Sequence, residues 1–212
     1  MHSLLSNGAD KEAQKLLVCY ERSMVFLDRI IDEKCALMHY EPSVREQTEK
    51  GMYCPTYYAF YEHKSHKSSS QIYPVFKWKL TSDDEHEALE ECISRIIAQI
   101  KQHLKSSEFQ PAAIDEAKEL KRNYQVRLKL LGLIIQNKLA LSEYYPLVKA
   151  LPSGINHSTQ QYRIGYVHKL HTTSAQNFPQ FITTQNATGV DEAYANSAND
   201  ILLQIKAFKQ SG

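Results

Sequence analysis

The feature that most constrains the fold of this sequence is a change in the spacing of its apolar residues. In four long segments these residues recur at three- and four-residue steps, which predicts amphipathic helices. In four shorter segments aromatic residues cluster, or apolar and polar residues alternate, which predicts strands. The predicted helices are residues 9–40, 82–105, 112–143 and 190–208, and the predicted strands are residues 56–62, 72–81, 162–170 and 178–184.

The order of these segments is α–β–β–α–α–β–β–α. Helices and strands grouped in this way favour the α+β class, with a small antiparallel sheet packed against long helices. A length of 212 residues suffices for a core that needs no disulfide or metal. We therefore expect a single α+β domain over 1–212, with flexible ends at 1–8 and 210–212, an exposed loop at 63–70 and no internal repeat.

Composition and motifs argue against several classes of function. The net charge is +1, so the chain as a whole has no strong attraction for nucleic acid or anionic membranes. Glycine is scarce, and neither GxGxxG nor GxxxxGK[ST] occurs, so we expect no phosphate-cradling loop and no cofactor. The most apolar stretch, 128–141, is too short and too often interrupted to predict a membrane span.

The four cysteines indicate a reducing compartment. Cys19, Cys35, Cys54 and Cys92 form no CxxC pair, and three of them lie at apolar positions of predicted helices. This pattern is typical of buried free thiols rather than of a disulfide framework. The N-terminus lacks the apolar core of a secretory signal, so we expect a cytoplasmic protein.

The stretch "MYCPTYYAFYEHKSHKSSSQ", residues 52–71, raises the question of a metal site. A zinc site needs about four converging nitrogen or sulfur ligands, and Cys54, His63 and His66 supply three, to which His168 could add. Residues three apart in an extended segment point to opposite faces, so His63 and His66 do not converge. We therefore predict no metal site, only solvated histidines beside a half-buried strand.

A cysteine nucleophile is the alternative reading of the same stretch. Cys54 could act with His63, His66 or His168 as its base. However, no helix N-terminus follows Cys54 closely enough to promote the thiolate, and no cysteine-hydrolase signature surrounds it. A small cysteine-dependent enzyme or secreted effector is thus an alternative hypothesis, and we favour a protein without enzymatic activity.

A cluster of tyrosines and lysines suggests a binding surface. Aromatic residues interleaved with lysines can stack bases and hold phosphates, which makes a nucleic-acid-binding protein a further alternative. The same residues favour strands and are common at protein interfaces. Because the net charge is balanced, we favour contact with another protein. The cluster comprises Tyr53, Tyr57, Tyr58, Tyr61 and Tyr73 with Lys64, Lys67, Lys77 and Lys79.

The predicted helix 112–143 is apolar over much of its circumference. Leu128, Leu131, Ile135 and Leu139 form one stripe; Leu130, Ile134 and Leu141 form a second; and Leu133 lies off both. A helix of this kind is buried on two sides, so its second stripe is either internal or contacts a partner, and both alternatives stay open. The predicted partner-binding residues are Leu130, Leu133 and Ile134, followed by Tyr57, Tyr58 and Trp78.

The organisation of the chain resembles that of small bacterial secretion chaperones, in which α–β–β–α–β–β–α units dimerise and wrap unfolded segments of secreted substrates. Its many Lys, Gln, Asn, Ser and Tyr residues and few Gly residues are similar in composition to proteins of intracellular bacterial pathogens. Within that group, the length resembles a chaperone-like adaptor of a type IVB (Dot/Icm-like) secretion system. The resemblance implies a hetero-complex or dimer that binds effector or coupling-protein segments through an apolar surface.

Overall fold

The computed structural model describes residues 2–48, 53–65, 73–104, 111–152, 159–170 and 178–211, with side chains from residue 8 onwards. Within these ranges the chain forms four helices and six strands. The helices are α1 (His2–Asp32), α2 (Glu85–Leu104), α3 (Pro111–Gln136) and α4 (Val190–Ser211). The strands are β1 (Tyr40–Gln47), β2 (Thr56–His63), β3 (Phe76–Thr81), β4 (Tyr144–Ala150), β5 (Gln160–His168) and β6 (Phe181–Ala187).

The predicted α+β class is confirmed, and two strands that the sequence did not predict are added to it. β1 and β4 each follow a long helix directly, so the element order is α–β–β–β–α–α–β–β–β–α. The strands form two antiparallel sheets of three strands rather than one small sheet, in the orders β1-β2-β3 and β4-β5-β6. We call these the first sheet and the second sheet.

The predicted helices 9–40 and 112–143 were too long because each ends in a turn without glycine. At the end of α1, Lys34 adopts the left-handed conformation, with φ of 51°. The amide of Cys35 donates to Ile30 O at 3.1 Å, and that of Lys34 donates to Ile31 O at 3.1 Å, which is a Schellman motif. The same motif ends α3 at Lys138, where φ is 55°. A lysine occupies the left-handed position where glycine usually marks a helix end, so the sequence did not indicate either end.

The chain divides into two compact units. The middle unit comprises residues 19–121, and the terminal unit comprises residues 1–18 and 122–212. The first sheet and α2 belong to the middle unit, and the second sheet and α4 belong to the terminal unit. Because α1 and α3 each contribute one part to either unit, the expectation of one α+β domain stays a prediction.

The two units are copies of one design, so the expectation of no internal repeat is wrong. Each unit contains segments of both long helices, a three-stranded antiparallel sheet and a further helix. Residues 30–44 align with 134–148, and eight of these fifteen positions carry the same residue. The identical pairs are Ile30/Ile134, Ile31/Ile135, Lys34/Lys138, Ala36/Ala140, Leu37/Leu141, Tyr40/Tyr144, Pro42/Pro146 and Val44/Val148. From β2 and β5 onwards the offset grows by one residue, so that Tyr61 and His63 match Tyr166 and His168.

Buried tyrosines fix the same turn in both units. The amide of Leu37 donates to Tyr61 Oη at 3.0 Å, and in the other unit the amide of Leu141 donates to Tyr166 Oη at 3.3 Å. Both tyrosine side chains are fully buried. Burial raises the pKa of Tyr166 to about 12, so its hydroxyl stays protonated at neutral pH. These hydroxyls therefore serve the fold by satisfying a turn amide.

Candidate functional site

Cys54 and His63, two of the residues of the alternative cysteine-enzyme hypothesis, lie far apart along β2. Cys54 lies just before β2 and His63 is the last residue of that strand, so eight residues of extended chain, about 25 Å, separate them. His168 ends β5 in the terminal unit, whereas Cys54 belongs to the middle unit. His66 lies outside the residues that the structure describes. The structure therefore does not support a Cys54–His63 dyad.

His63 and His168 occupy equivalent places and have equivalent structural roles. His63 Nδ1 accepts the amide of Ser65 at 3.1 Å, and its ring stacks on Tyr73 with centroids 3.6 Å apart. His168 Nδ1 accepts the amide of Leu170 at 3.2 Å, and its ring stacks on Phe178 at 3.6 Å. Both imidazoles are buried. The expectation of solvated loop histidines is thus wrong for these two residues, which lock the end of a strand in each unit.

The thiols of the middle unit are free and two of them are strongly protected. Cys35 and Cys92 are buried, and burial raises the pKa of each thiol to about 11. Burial also raises the pKa of Cys19. Thiols of this kind are poor nucleophiles at neutral pH. Among the described residues no group of three or more His, Cys, Asp or Glu side chains is arranged to hold a metal ion.

Two of the three residues of the second stripe, Leu130 and Ile134, are internal, and the third, Leu141, lies beyond the end of α3. Leu130 and Ile134, two of the predicted partner-binding residues, are fully buried, and Leu133 is half-buried. A partner could reach Leu130 or Ile134 only if the core opened. Their apolar character is therefore explained by burial within the chain, which leaves the first sheet as the candidate contact surface.

The outward surface of the first sheet combines half-buried aromatic rings with exposed cations. In the sheet register Tyr58 lies between Arg45 and Lys79, and Phe60 lies beside Lys77. Arg45 Cζ lies 6.0 Å from the centre of the Phe60 ring, and Lys79 Nζ lies 6.0 Å from that of Tyr58. These are cation–π distances at a solvent-facing site. We call Arg45, Tyr58, Phe60, Lys77 and Lys79 the aromatic–basic face.

The other two predicted contact residues on this sheet lie on its opposite surface. Tyr57 is buried, with Arg22 Cζ 5.2 Å from its ring centre. Trp78, at 39% exposure, lies on the edge strand β3 with Arg95 of α2 5.4 Å from its ring. Tyr57 is thus a core residue, whereas Trp78 remains accessible at the rim of the sheet.

An open depression of about 500 Å³ lies over β3 and the adjoining part of β2. This volume falls within the range of sites that accommodate small ligands or side chains of a partner. Aromatic rings supply apolar contact area and the lysines supply charge. The depression is lined by Tyr58, Phe60, Lys77, Trp78 and Lys79.

The second sheet has no counterpart of this face. Its outward positions at the equivalent places carry Lys149, Arg163, Gly165, Ile182 and Thr184. Gly165 takes the place of Phe60, and a Cβ there would lie 2.6 Å from the backbone oxygen of Phe181 and 2.8 Å from the side chain of Ile182. An aromatic ring cannot occupy that position without a shift of the neighbouring strand. The aromatic–basic face is therefore specific to the middle unit.

A second cavity of about 420 Å³ in the middle unit contains three histidines, His39, His63 and His103. The equivalent positions of the terminal unit carry Glu143, His168 and Phe208. There Glu143 Oε2 lies 3.3 Å from His168 Nε2. The cavity of the middle unit is consequently richer in imidazole, but these histidines do not meet the requirements of a metal site noted above.

No family model matches the chain, and no curated protein matches it. Among the described residues no helix is long and apolar enough to cross a membrane. The sequence did contain the signal for the aromatic–basic face, in "TYYAFYE" and "FKWKL". A single strand does not reveal the pairing that places Tyr58 between Arg45 and Lys79 and Phe60 beside Lys77.

Proposed function

We propose that this protein is a non-enzymatic interaction module, an adaptor or chaperone that binds segments of a partner polypeptide on the aromatic–basic face. The observation that carries the proposal is the half-buried, outward-facing pair Tyr58 and Phe60, each with a cation 6.0 Å from its ring centre, on a sheet surface beside an open depression. Aromatic residues and arginine are enriched where proteins bind one another. The absence of this arrangement from the equivalent surface of the second sheet supports a role beyond folding.

A bacterial secretion adaptor, of the type IVB (Dot/Icm-like) kind, is our more specific proposal. The resemblance on which it rests includes dimerisation of α+β units. The duplication supplies two α+β units within a single polypeptide. The free thiols fit a cytoplasmic location on the bacterial side of such a system. The proposal predicts a hetero-complex with an effector or with a component of the secretion machinery.

The test is affinity purification from the native host followed by reconstitution. The protein carrying Tyr58→Ser and Phe60→Ser is compared with a control carrying Leu147→Ser and Ile182→Ser, two apolar outward residues of the second sheet. We expect the wild type and the control to retain a partner that binds again when both proteins are purified, as measured by calorimetry and light scattering. The variant with Tyr58→Ser and Phe60→Ser should bind the same partner with an affinity at least tenfold lower.

The opposite pattern would refute the proposed function. If the Tyr58/Phe60 variant remains folded by circular dichroism and retains every partner with unchanged affinity, the aromatic–basic face is not the contact surface. Loss of the partner from the second-sheet control alone would place the contact surface on the terminal unit instead.

A further inference from the structure

We infer that the aromatic–basic face selects a short acidic peptide segment with an aromatic or leucine anchor. This inference rests on the proposed function and names the class of its partner. The anchor would pack against Phe60 and Tyr58, and carboxylates beside it would meet Arg45, Lys77 and Lys79. Acidic side chains in an extended peptide are spaced closely enough to reach cations on adjacent strands.

The cations of this face form no ion pair with a carboxylate in the part of the chain that the structure describes. Among the described residues, no Asp or Glu lies within salt-bridge distance of Arg45, Lys77 or Lys79, although other cations of the same unit are paired. For example, Lys64 pairs with Glu116 at 2.7 Å and Lys101 with Glu33 at 2.7 Å. Three such cations beside two aromatic rings attract an anionic apolar segment.

The positive region is short, which favours a peptide over a nucleic acid. Glu41 and Glu62 are paired across β1 and β2 on the same outward surface. They lie about 13 Å along the strands from the Arg45–Tyr58 pair and about 7 Å from the Phe60–Lys77 pair, because four and two residues of strand separate them. A continuous polyanion crossing the sheet would meet these carboxylates. A peptide with its acidic residues at one end would not.

The face is better suited to a partner than the edge of the sheet. The edge strand β3 is only six residues long and carries two lysines, which discourages pairing with an added strand. In addition, Gln99 Nε2 of α2 lies 3.5 Å from Lys77 O. The peptide would therefore lie across the outward side chains, close to the single tryptophan, Trp78.

The first experiment selects random dodecapeptides displayed on phage against the purified full-length protein. Clones that bind are re-tested on a charge-reversed variant, Lys77→Glu with Lys79→Glu, and on a matched control, Lys149→Glu with Arg163→Glu, which makes the same change on the outward surface of the second sheet. We expect the recovered clones to be enriched in Asp and Glu next to Trp, Phe, Tyr or Leu. They should bind the control normally and the Lys77/Lys79 variant at least tenfold more weakly.

Synthetic peptides then provide the affinity. A recovered peptide without tryptophan is titrated while Trp78 fluorescence is followed, beside a version in which every Glu and Asp is replaced by Gln and Asn. We expect the neutral version to bind at least tenfold more weakly at about 0.1 M salt, where charges are screened beyond about 10 Å. A dT20 oligonucleotide serves as the nucleic-acid probe and should show no binding that depends on Lys77 and Lys79.

The outcomes separate the inference from the proposed function. One outcome contradicts the acidic specificity alone. The recovered clones would then be apolar without acidic enrichment and would bind the Lys77/Lys79 variant as well as the wild type. They would lose binding to the protein with Tyr58→Ser and Phe60→Ser, so the proposed function would stand. If clones are recovered but ignore both variants, or if none is recovered, both fail. Tight, steeply salt-dependent binding of dT20 that requires Lys77 and Lys79 would overturn the inference in favour of nucleic acid.

Discussion

The middle and terminal units share one packing device and differ in their buried charges and outward surfaces. In the middle unit, Glu116 accepts the backbone amide of His39 at 2.9 Å and the ammonium of Lys64 at 2.7 Å. This carboxylate joins a helix to the turn before β1 and the end of β2. His39 adopts a positive φ of 64°, so its amide needs a fixed partner that holds the turn.

The terminal unit repeats this device with the equivalent residues. Glu12 accepts the amide of Glu143 at 3.1 Å and the ammonium of Lys169 at 2.7 Å, and φ of Glu143 is also 64°. The turn residue itself differs, histidine in one unit and glutamate in the other, while the backbone and its carboxylate partner are the same. Both units thus use a helical carboxylate to hold the turn, whereas the side chain of the turn residue itself can differ.

Buried charge distinguishes the units most clearly. Arg22 is buried and bonds Glu46 at 2.7 Å and Glu85 at 2.8 Å, joining α1, β1 and α2. Burial opposes its charge, but the hydrogen bonds to Glu85 and Glu46 outweigh this and raise the pKa of Arg22. The equivalent residues of the terminal unit are Val126, Ala150 and Val190. The same fold therefore holds charged, ion-paired side chains at these three positions in one unit and apolar side chains in the other.

The largest expected effect comes from exchanging the central outward residues of the two sheets. Gly165→Phe forces a Cβ against the backbone oxygen of Phe181, so we expect a loss of about 3 kcal/mol in the free energy of unfolding. Phe60→Gly removes an outward ring and adds backbone entropy, and should cost about 1 kcal/mol. Urea denaturation followed by circular dichroism measures both. Equal losses would mean that the two outward surfaces are interchangeable.

The Arg22 network gives the next largest effect. Arg22→Val leaves Glu46 and Glu85 without their charged partner and should cost about 2 kcal/mol. The triple variant Arg22→Val, Glu46→Ala and Glu85→Val installs the residues of the terminal unit and should recover most of this loss, because a well-packed apolar set often equals a buried ion network. Urea midpoints of the single and triple variants provide the comparison. A triple variant less stable than the single one would contradict the equivalence of the units.

The helical carboxylates predict a moderate, pH-dependent effect. Burial opposes ionisation of Glu116, but bonds from Lys64 and the His39 amide outweigh it, so its pKa is lowered below 4.5 in the folded state. Its contribution is then present above pH 4.5 and is lost as pH falls through the lowered value. Glu116→Gln should lower the free energy of unfolding by about 1 kcal/mol at pH 7. The variant should also lose less stability than the wild type when the pH is lowered below about 5.

The matched control for this prediction is Glu12→Gln in the terminal unit. The bond from Lys169 is the main cause that lowers the pKa of Glu12, so the same sign is expected. Thermal unfolding from pH 3 to 7 measures both variants. A stability–pH profile unchanged by either substitution would show that these carboxylates do not link the helix to the turn in solution.

The smallest perturbation tests whether the two units unfold together. All four cysteines, Cys19, Cys35, Cys54 and Cys92, lie in the middle unit. Pulsed alkylation at pH 8 should modify the half-buried Cys54 first and Cys35 and Cys92 only on opening of the core, because burial raises their pKa to about 11. If Cys35 and Cys92 become labelled at the same urea concentration at which helix content is lost, the chain unfolds in a single cooperative transition. If they become labelled at a much lower urea concentration, the two units unfold separately.

Most of the fold was predictable from the spacing of apolar residues. The stripe of α2, including Ile93, Ile96 and Ile100, is buried as the periodicity predicts. β1 could not be predicted in this way because its second half, Arg45 to Gln47, is exposed and polar, so no alternation survives. The Lys34 and Lys138 turns were hidden because a non-glycine residue in the left-handed region is unusual.

The candidate site was only partly predictable. Tyr58 and Trp78 were identified from their strands, but Phe60 and Arg45 require the register between β1, β2 and β3. Leu130 and Ile134 were chosen because an apolar stripe on a helix does not reveal whether another part of the same chain covers it. The duplication would have answered this, because Leu130 aligns with the fully buried Phe26.

The division of α1 and α3 between the two units has a consequence for any single half of the chain. Residues 7–17 of α1 and 111–121 of α3 are equivalent, and each contributes to the unit built mainly from the other half of the sequence. A polypeptide of one half alone, such as 1–104, would lack its complementary helix segment. α1 spans about 46 Å as one helix and cannot fold back to supply that segment. Two copies of one half could exchange this segment, so a half-length chain would be complete only as a segment-swapped dimer.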